Sequence, residues 1–110
     1  PVPINSGFHP PGPNGLPPDV VQRVVRARYP AFQRCYEDGL RRVPTLRGRV
    51  VVYFFVERTG ALREVRDHGS ELPDAEVVKC VVHEFEGLSF PPSESGVTTV
   101  VYPISFAPDD

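Results

Sequence analysis

The amino-acid sequence predicts a single α+β domain in two layers, a three-stranded antiparallel sheet with helices packed on one of its faces. Three stretches carry that expectation. Residues 46–65 read as a long strand, a turn closing at Gly60 and a second strand, which together make a hairpin. Residues 97–106 alternate as a last strand, with Val100, Tyr102, Ile104 and Phe106 on one side and Thr99, Val101 and Ser105 on the other. Apolar residues recur at helical spacing before the hairpin and again between it and the last strand.

The first eighteen residues hold seven of the fourteen prolines, interleaved with Gly7, Gly12 and Gly15. That composition favours extended backbone unable to build a core, so residues 1–18 are expected to be a proline-rich linker, 19–107 the domain and 108–110 a tail. Asp19 can cap a helix carrying Val20, Val21, Val24 and Val25 and ending near Tyr29. Pro30 cannot donate to a preceding turn but suits the first turn of a new helix, whose stripe is Phe32, Cys35, Tyr36 and Leu40. Gly39 weakens the end of that helix and Pro44 stops it.

In the first hairpin strand Val50, Val52, Phe54 and Val56 line one face, while Val51, Tyr53 and Phe55 line the other. Both faces are apolar, so this strand must be covered twice, once by the domain's own helices and once by something else. The second strand, from Ala61 to about Gly69, is more polar. Asp74 then opens a helix with Val77, Val78, Val81, Val82 and Phe85 on its stripe and Gly87 at its end. The expected sheet order is second strand, first strand, last strand. Its core face is Val50, Val52, Phe54, Leu62, Val100, Tyr102 and Phe106, set against Val24, Phe32, Tyr36, Val78 and Val81.

Pro103 interrupts the last strand and has no backbone N–H, so it is tolerated only where its nitrogen faces away from the neighbouring strand. The last strand is therefore expected at a sheet edge. Val97, Thr98, Thr99, Val100, Val101 and Tyr102 would then be able to pair with another extended chain.

Composition narrows the function classes. Residues 1–55 carry eight arginines against three acids, and residues 56–110 four bases against eleven acids. The chain is acidic overall and interleaves no aromatics with a basic patch, which argues against a nucleic-acid partner. No stretch approaches the roughly 20 apolar residues that span a bilayer, and the chain opens without an initiator Met or a signal pattern; it is expected to be a fragment of a longer protein. His9, His68 and His83 are scattered, Ser70, Ser89, Ser93 and Ser95 stand in expected loops without a nucleophile frame, and no phosphate-cradling glycine loop occurs, so no enzyme and no cofactor are expected. Cys35 and Cys80 suit a disulfide in an oxidising compartment, although two buried thiols would look the same in sequence. A metal site of Cys35, Cys80 and His83 lacks the paired-cysteine knuckle of zinc modules.

The order helix, hairpin, helix, strand, with these particular words, resembles the C-terminal domain of TonB-type energy transducers over almost all of the chain after Pro18. The matching pieces are Tyr29-Pro30, the run from Gly48 to Phe54, Gly60-Ala-Leu62, a helix opening near Asp74, Phe90-Pro91 and Val101 to Phe106. Cys35-Tyr36-Glu37, with Leu40, Pro44, Leu46 and Cys80, looks most like the branch of that family found in myxobacterial gliding-motility and related envelope proteins.

The resemblance implies a periplasmic module, the C-terminal part of a protein tethered by a proline-rich spacer to an inner-membrane helix and its proton-driven motor complex. It implies capture of an extended peptide of an outer-membrane or envelope protein as an added strand beside the last strand, with specificity from side chains such as Thr98, Val100 and Tyr102. Arg28 and Arg34 would either pair with an acidic residue of that peptide or stand as solvated surface charges. The chain departs from the family at Val51, Tyr53 and Phe55, where charged or polar residues are usual. Either a second copy or other partner packs there, or the linker folds over with Ile4 and Phe8. A structural adaptor of the TolA kind, or a dimerisation module using that apolar face, is the alternative.

Overall fold

The computed structural model describes residues 15–94 and 96–108, together with the backbone of residues 4–6. The elements run β1 (Ile4–Ser6), α1 (Pro18–Arg26), α2 (Tyr29–Arg42), β2 (Gly48–Val56), β3 (Leu62–Asp67), α3 (Ala75–Glu86) and β4 (Thr98–Phe106). Every strand pairing is antiparallel, in the order β1-β4-β2-β3. The expected three-stranded unit is present as β3-β2-β4. The addition is β1, because Ile4-Asn5-Ser6 is a short run free of proline and glycine that pairs with Phe106, Ser105 and Ile104. Leu16, also within the expected linker, is buried in the core.

The helices begin where the prolines allow. Helix α1 starts one residue before Asp19, because Pro18 fits a first helical turn and the Pro17 carbonyl accepts from the N–H groups of Val20 and Val21. Asp19 is therefore not the cap; it pairs with Arg23 at 3.5 Å in the first turn. Val21 and Val25, four apart, take the fully buried positions and Val24 is only partly buried, a rotation of the stripe from the expected one. Helix α1 stops at Arg26, and α2 opens at Tyr29-Pro30. Helix α2 runs through Gly39 to Arg42 and stops before Pro44. A Cβ on Gly39 would lie 2.5 Å from Val77 Cγ2 and 2.7 Å from Leu46 Cδ2, so glycine here allows α2 to approach α3.

The core lies between the helices and one sheet face. Val50, Val52, Phe54 and Val56 of β2 and Val100, Tyr102, Ile104 and Phe106 of β4 are buried against it. Phe85 of α3 is the aromatic hub, stacked on Phe32 at 4.7 Å and tilted against Phe54 at 5.7 Å and Tyr102 at 6.0 Å. The Tyr36 hydroxyl donates to the Leu46 carbonyl, which ties α2 to the chain entering β2. In the hairpin turn Gly60 has φ +92°, and a Cβ there would come within 1.9 Å of the Phe90 carbonyl oxygen; the Phe90 N–H donates to the Gly60 carbonyl at 3.3 Å. The glycine lets the α3–β4 loop close on the hairpin.

Two features staple the helical layer. Cys35 of α2 and Cys80 of α3 form a disulfide, with Cα atoms 5.7 Å apart. Asp74 caps α3 by accepting from the N–H groups of Glu76 and Val77 at 3.0 and 3.1 Å, and Arg42 of α2 reaches the same carboxylate at 3.0 Å. Burial opposes the Asp74 charge, but the Val77 N–H, Arg42 and the Glu76 N–H together hold its pKa below the usual value.

Replacing both cysteines (Cys35→Ser with Cys80→Ser) is expected to lower the unfolding free energy by roughly 2–4 kcal/mol, since the bridge closes a loop of 45 residues. Urea denaturation reads this directly, and an unchanged midpoint would contradict a stapling role. Asp74 has a lowered folded-state pKa, so its contribution is present above the ordinary aspartate range and is lost as pH falls through the lower folded value. Asp74→Asn should therefore lower the melting temperature at pH 7 and shrink the further drop seen on acidification below about pH 4.

Candidate functional site

The last strand is not the sheet edge expected from its proline, because β1 pairs with β4 from Ile104 to Phe106; the outer side of β4 beyond those pairs and the outer strand β3 have opposite characters. On β4 the direction of each main-chain group follows from Pro103, which pairs with Val51 of β2. Val51 turns its own backbone away from β4, its carbonyl accepting from the His68 N–H at 2.8 Å and its N–H donating to Ser70 Oγ at 2.9 Å. The pair Val51–Pro103 is thus a non-hydrogen-bonded one, and the Pro103 nitrogen faces outward. By the two-residue period of a strand, Thr99, Val101 and Ser105 turn their N–H and C=O groups outward as well. Ser105 meets Asn5 of β1; Thr99 and Val101 lie beyond the reach of β1's three pairs.

Strand β3 is built differently. Tyr53 pairs with Arg66 and Phe55 with Arg63, so β3 carries one extra residue opposite Phe54, with Glu64 at φ +56°. Four of its six residues are charged: Arg63, Glu64, Arg66 and Asp67. A short, bulged, charged strand is a protected edge. Strand β4 is nine residues long and uncharged, and its outer side carries Pro103 and the three β1 pairs.

The expected edge residues separate accordingly. Val97 precedes the strand and is 49% exposed. Thr98, Val100 and Tyr102 point into the core, at 1%, 1% and 0% exposure. Their expected role as specificity side chains is thereby corrected, since period-two alternation turns them inward. Thr98 Oγ1 accepts from the Leu16 N–H at 2.9 Å, and the Tyr102 hydroxyl donates to Gln22 and lies 3.3 Å from that of Tyr29. The side chains beside the outward main-chain groups are Thr99, Val101, which is 40% exposed, and Pro103. Val101 and Pro103 border a hollow of about 400 Å³ on the open face with Arg49, Val51, His68 and Ser105.

The open face is less bare than its sequence suggests. Val51 is 8% exposed, and Tyr53 and Phe55 are half-buried. Arg63 lies over the Phe55 ring at 4.9 Å and Arg66 over Tyr53 at 5.8 Å, while His68 stacks on Tyr53 at 5.3 Å. These arginines are paired in turn, Arg63 with Glu57 and Arg66 with Glu64. Part of the second cover expected for β2 thus comes from side chains of β3 and the residue after it. Ile4 is placed in β1 at the sheet edge, and Phe8, His9 and Ser95 lie outside the described residues.

The basic front and the acidic back are bridged at three places inside the molecule. Arg28 pairs with Glu84 at 3.1 Å, Arg42 with Asp74 at 3.0 Å and Arg49 with Glu71 at 3.1 Å. Arg28 is therefore already engaged, whereas Arg34 is exposed on α2. The disulfide excludes the alternative of a Cys35–Cys80–His83 metal site, and among the described residues no three histidine, cysteine or acidic side chains converge as a metal site. Among the same residues no helix is long and apolar enough to cross a membrane.

No protein-family model matches the chain, and no curated protein matches it by sequence. Among solved structures it is similar to the solution structure of the TonB C-terminal domain of Helicobacter pylori, with a TM-score of 0.51 over 87% of this chain and 87% of that one, at 12% identity. That likeness establishes the fold: this chain is folded as a TonB-type C-terminal domain.

The geometry predicts an alternating amide-exchange pattern along β4. Val100 and Tyr102, bonded to β2, should exchange at least tenfold more slowly than Thr99 and Val101, whose N–H groups face outward. Equal protection at all four positions would contradict the outward edge.

Proposed function

We propose that this chain is a non-catalytic envelope interaction domain of the TonB kind, which captures an extended segment of an outer-membrane or envelope protein as a further strand on β4. The observation that carries this reading is the asymmetry of the two edges. Strand β3 is shortened, charged and bulged against pairing, while β4 offers outward main-chain groups at Thr99 and Val101 on a long uncharged strand. Affinity would come mainly from main-chain hydrogen bonds, and selectivity from side chains meeting Thr99, Val101 and the hollow beside Pro103.

The rest of the reading follows from the TonB-type fold and the sequence. The proline-rich segment would act as the end of a spacer leading back to an inner-membrane anchor and its proton-driven motor. The disulfide suits the oxidising periplasm. Assignment to the myxobacterial gliding-motility branch rests on the Cys35-Tyr36-Glu37 word and its companions. A second reading, a TolA-like adaptor or homodimer using the open face, is favoured by exposed Val101 beside half-buried Tyr53 and Phe55.

Thr99→Pro separates the two. It removes an outward N–H without touching the ladder to β2, so it should weaken peptide capture by at least tenfold, about 1.4 kcal/mol, and shift the melting temperature little. Calorimetric titration with extended segments of outer-membrane proteins from the same organism measures it. Normal binding by Thr99→Pro together with loss in Tyr53→Lys or Phe55→Asp would contradict strand capture and favour the open face.

A further inference from the structure

The outward edge of β4 is already paired at its C-terminal end. Strand β1 pairs Ile4 with Phe106, Asn5 with Ser105 and Ser6 with Ile104, antiparallel to β4. Ser105 turns its main chain the same way as Pro103, two residues before it, so Asn5–Ser105 is the hydrogen-bonded pair of the three. The chain meets β4 again at Leu16, whose N–H donates to Thr98 Oγ1 at the strand's opposite end. Nine residues lie between Ser6 and Leu16 in sequence, so β1 is held near its site by a short tether.

We propose that β1 is a built-in competitor for the C-terminal third of the capture edge, so that this chain grades extended partners by the length of strand they add. The inference rests on the strand-capture reading. A partner pairing only with Thr99 and Val101 does not meet β1. One that runs on to Phe106 must displace it. A single hydrogen-bonded pair is a weak hold in itself, but the tether replaces a bimolecular encounter with an intramolecular one. The result is a displaceable occupant: strong enough to keep incidental strands off Ser105, and weak enough to yield to a longer cognate one. The same occupancy shields part of an uncharged edge that would otherwise invite pairing between copies of the chain.

The test uses the full 110-residue chain and its Asn5→Pro variant, which removes the Asn5 N–H bonded to the Ser105 carbonyl, and with it half of the pair that holds the Asn5 carbonyl over the Ser105 amide, and leaves every core residue in place. In the unmodified chain the Ser105 amide should be protected from exchange, and in Asn5→Pro it should exchange at least tenfold faster, with Val100 and Tyr102 unchanged. Two synthetic peptides of alternating valine and threonine, one of five and one of nine residues with lysine tails for solubility, are then titrated into both chains. The nine-residue peptide should bind Asn5→Pro roughly 3- to 10-fold more tightly than it binds the unmodified chain, and the five-residue peptide equally to both. A Ser105 amide that exchanges equally fast in both chains would overturn the occupancy, whatever the peptides do. Equal gains for both peptides, or none for either, would overturn the grading by length. Failure of both peptides to bind either chain would contradict strand capture and the competition with it, while the Ser105 exchange rates report separately on β1.

Discussion

Pro103 has no N–H to give, and β4 can therefore lie against β2 only in a register that turns the nitrogen of residue 103 away. A slip of one residue would aim the proline at the neighbouring strand and carry every inward side chain of β4 to the other face. In the register adopted, Thr98, Val100, Tyr102, Ile104 and Phe106 all enter the core and meet the inward residues of β2. The same choice sends the main-chain groups of Thr99 and Val101 outward. One residue thus fixes which face is core and which main-chain groups turn outward.

The helical layer makes that register stable by covering one face well and leaving the other to side chains. Gly39 lets α2 and α3 approach, the Cys35–Cys80 bridge joins them, and Asp74 serves at once as the α3 cap and the partner of Arg42. Phe85 carries this layer onto β2 and β4 through Phe54 and Tyr102. Tyr102 then reaches back to Gln22, so α1 is tied to the strand whose outer edge is the candidate site. The edge is backed by packed core, which suits a strand that must present fixed donors and acceptors to an incoming chain.

Much of this was legible in the sequence because the signals are local. Period-two alternation placed β2 and β4, Tyr29-Pro30 placed the break between α1 and α2, and Asp74 and Gly87 placed the ends of α3; Pro103 pointed to an edge strand, whereas β1 covers the far end of β4. What escaped depends on distant partners. Ile4-Asn5-Ser6 has no strand pattern of its own length and gains its form only from β4. Leu16 lies among prolines and is buried only because α1 and the start of β4 close around it. The β3 bulge places a non-glycine residue, Glu64, at positive φ, so no glycine marked it. Arg63 and Arg66 belong to the more polar second strand, and only the hairpin pairing sets them over Phe55 and Tyr53. Specificity was ascribed to Thr98, Val100 and Tyr102, although the same alternation that built the core turns those side chains inward.

The most direct measurement is of scalar couplings transmitted through hydrogen bonds, from the amide nitrogens of Thr99 and Val101 to carbonyl carbons of an isotope-labelled segment of an outer-membrane protein from the same organism. Strand capture predicts couplings to the segment at Thr99 and Val101, with those of Val100 and Tyr102 running only to β2. A bound segment that shows no coupling at Thr99 or Val101, or that couples instead to β3, would contradict the account.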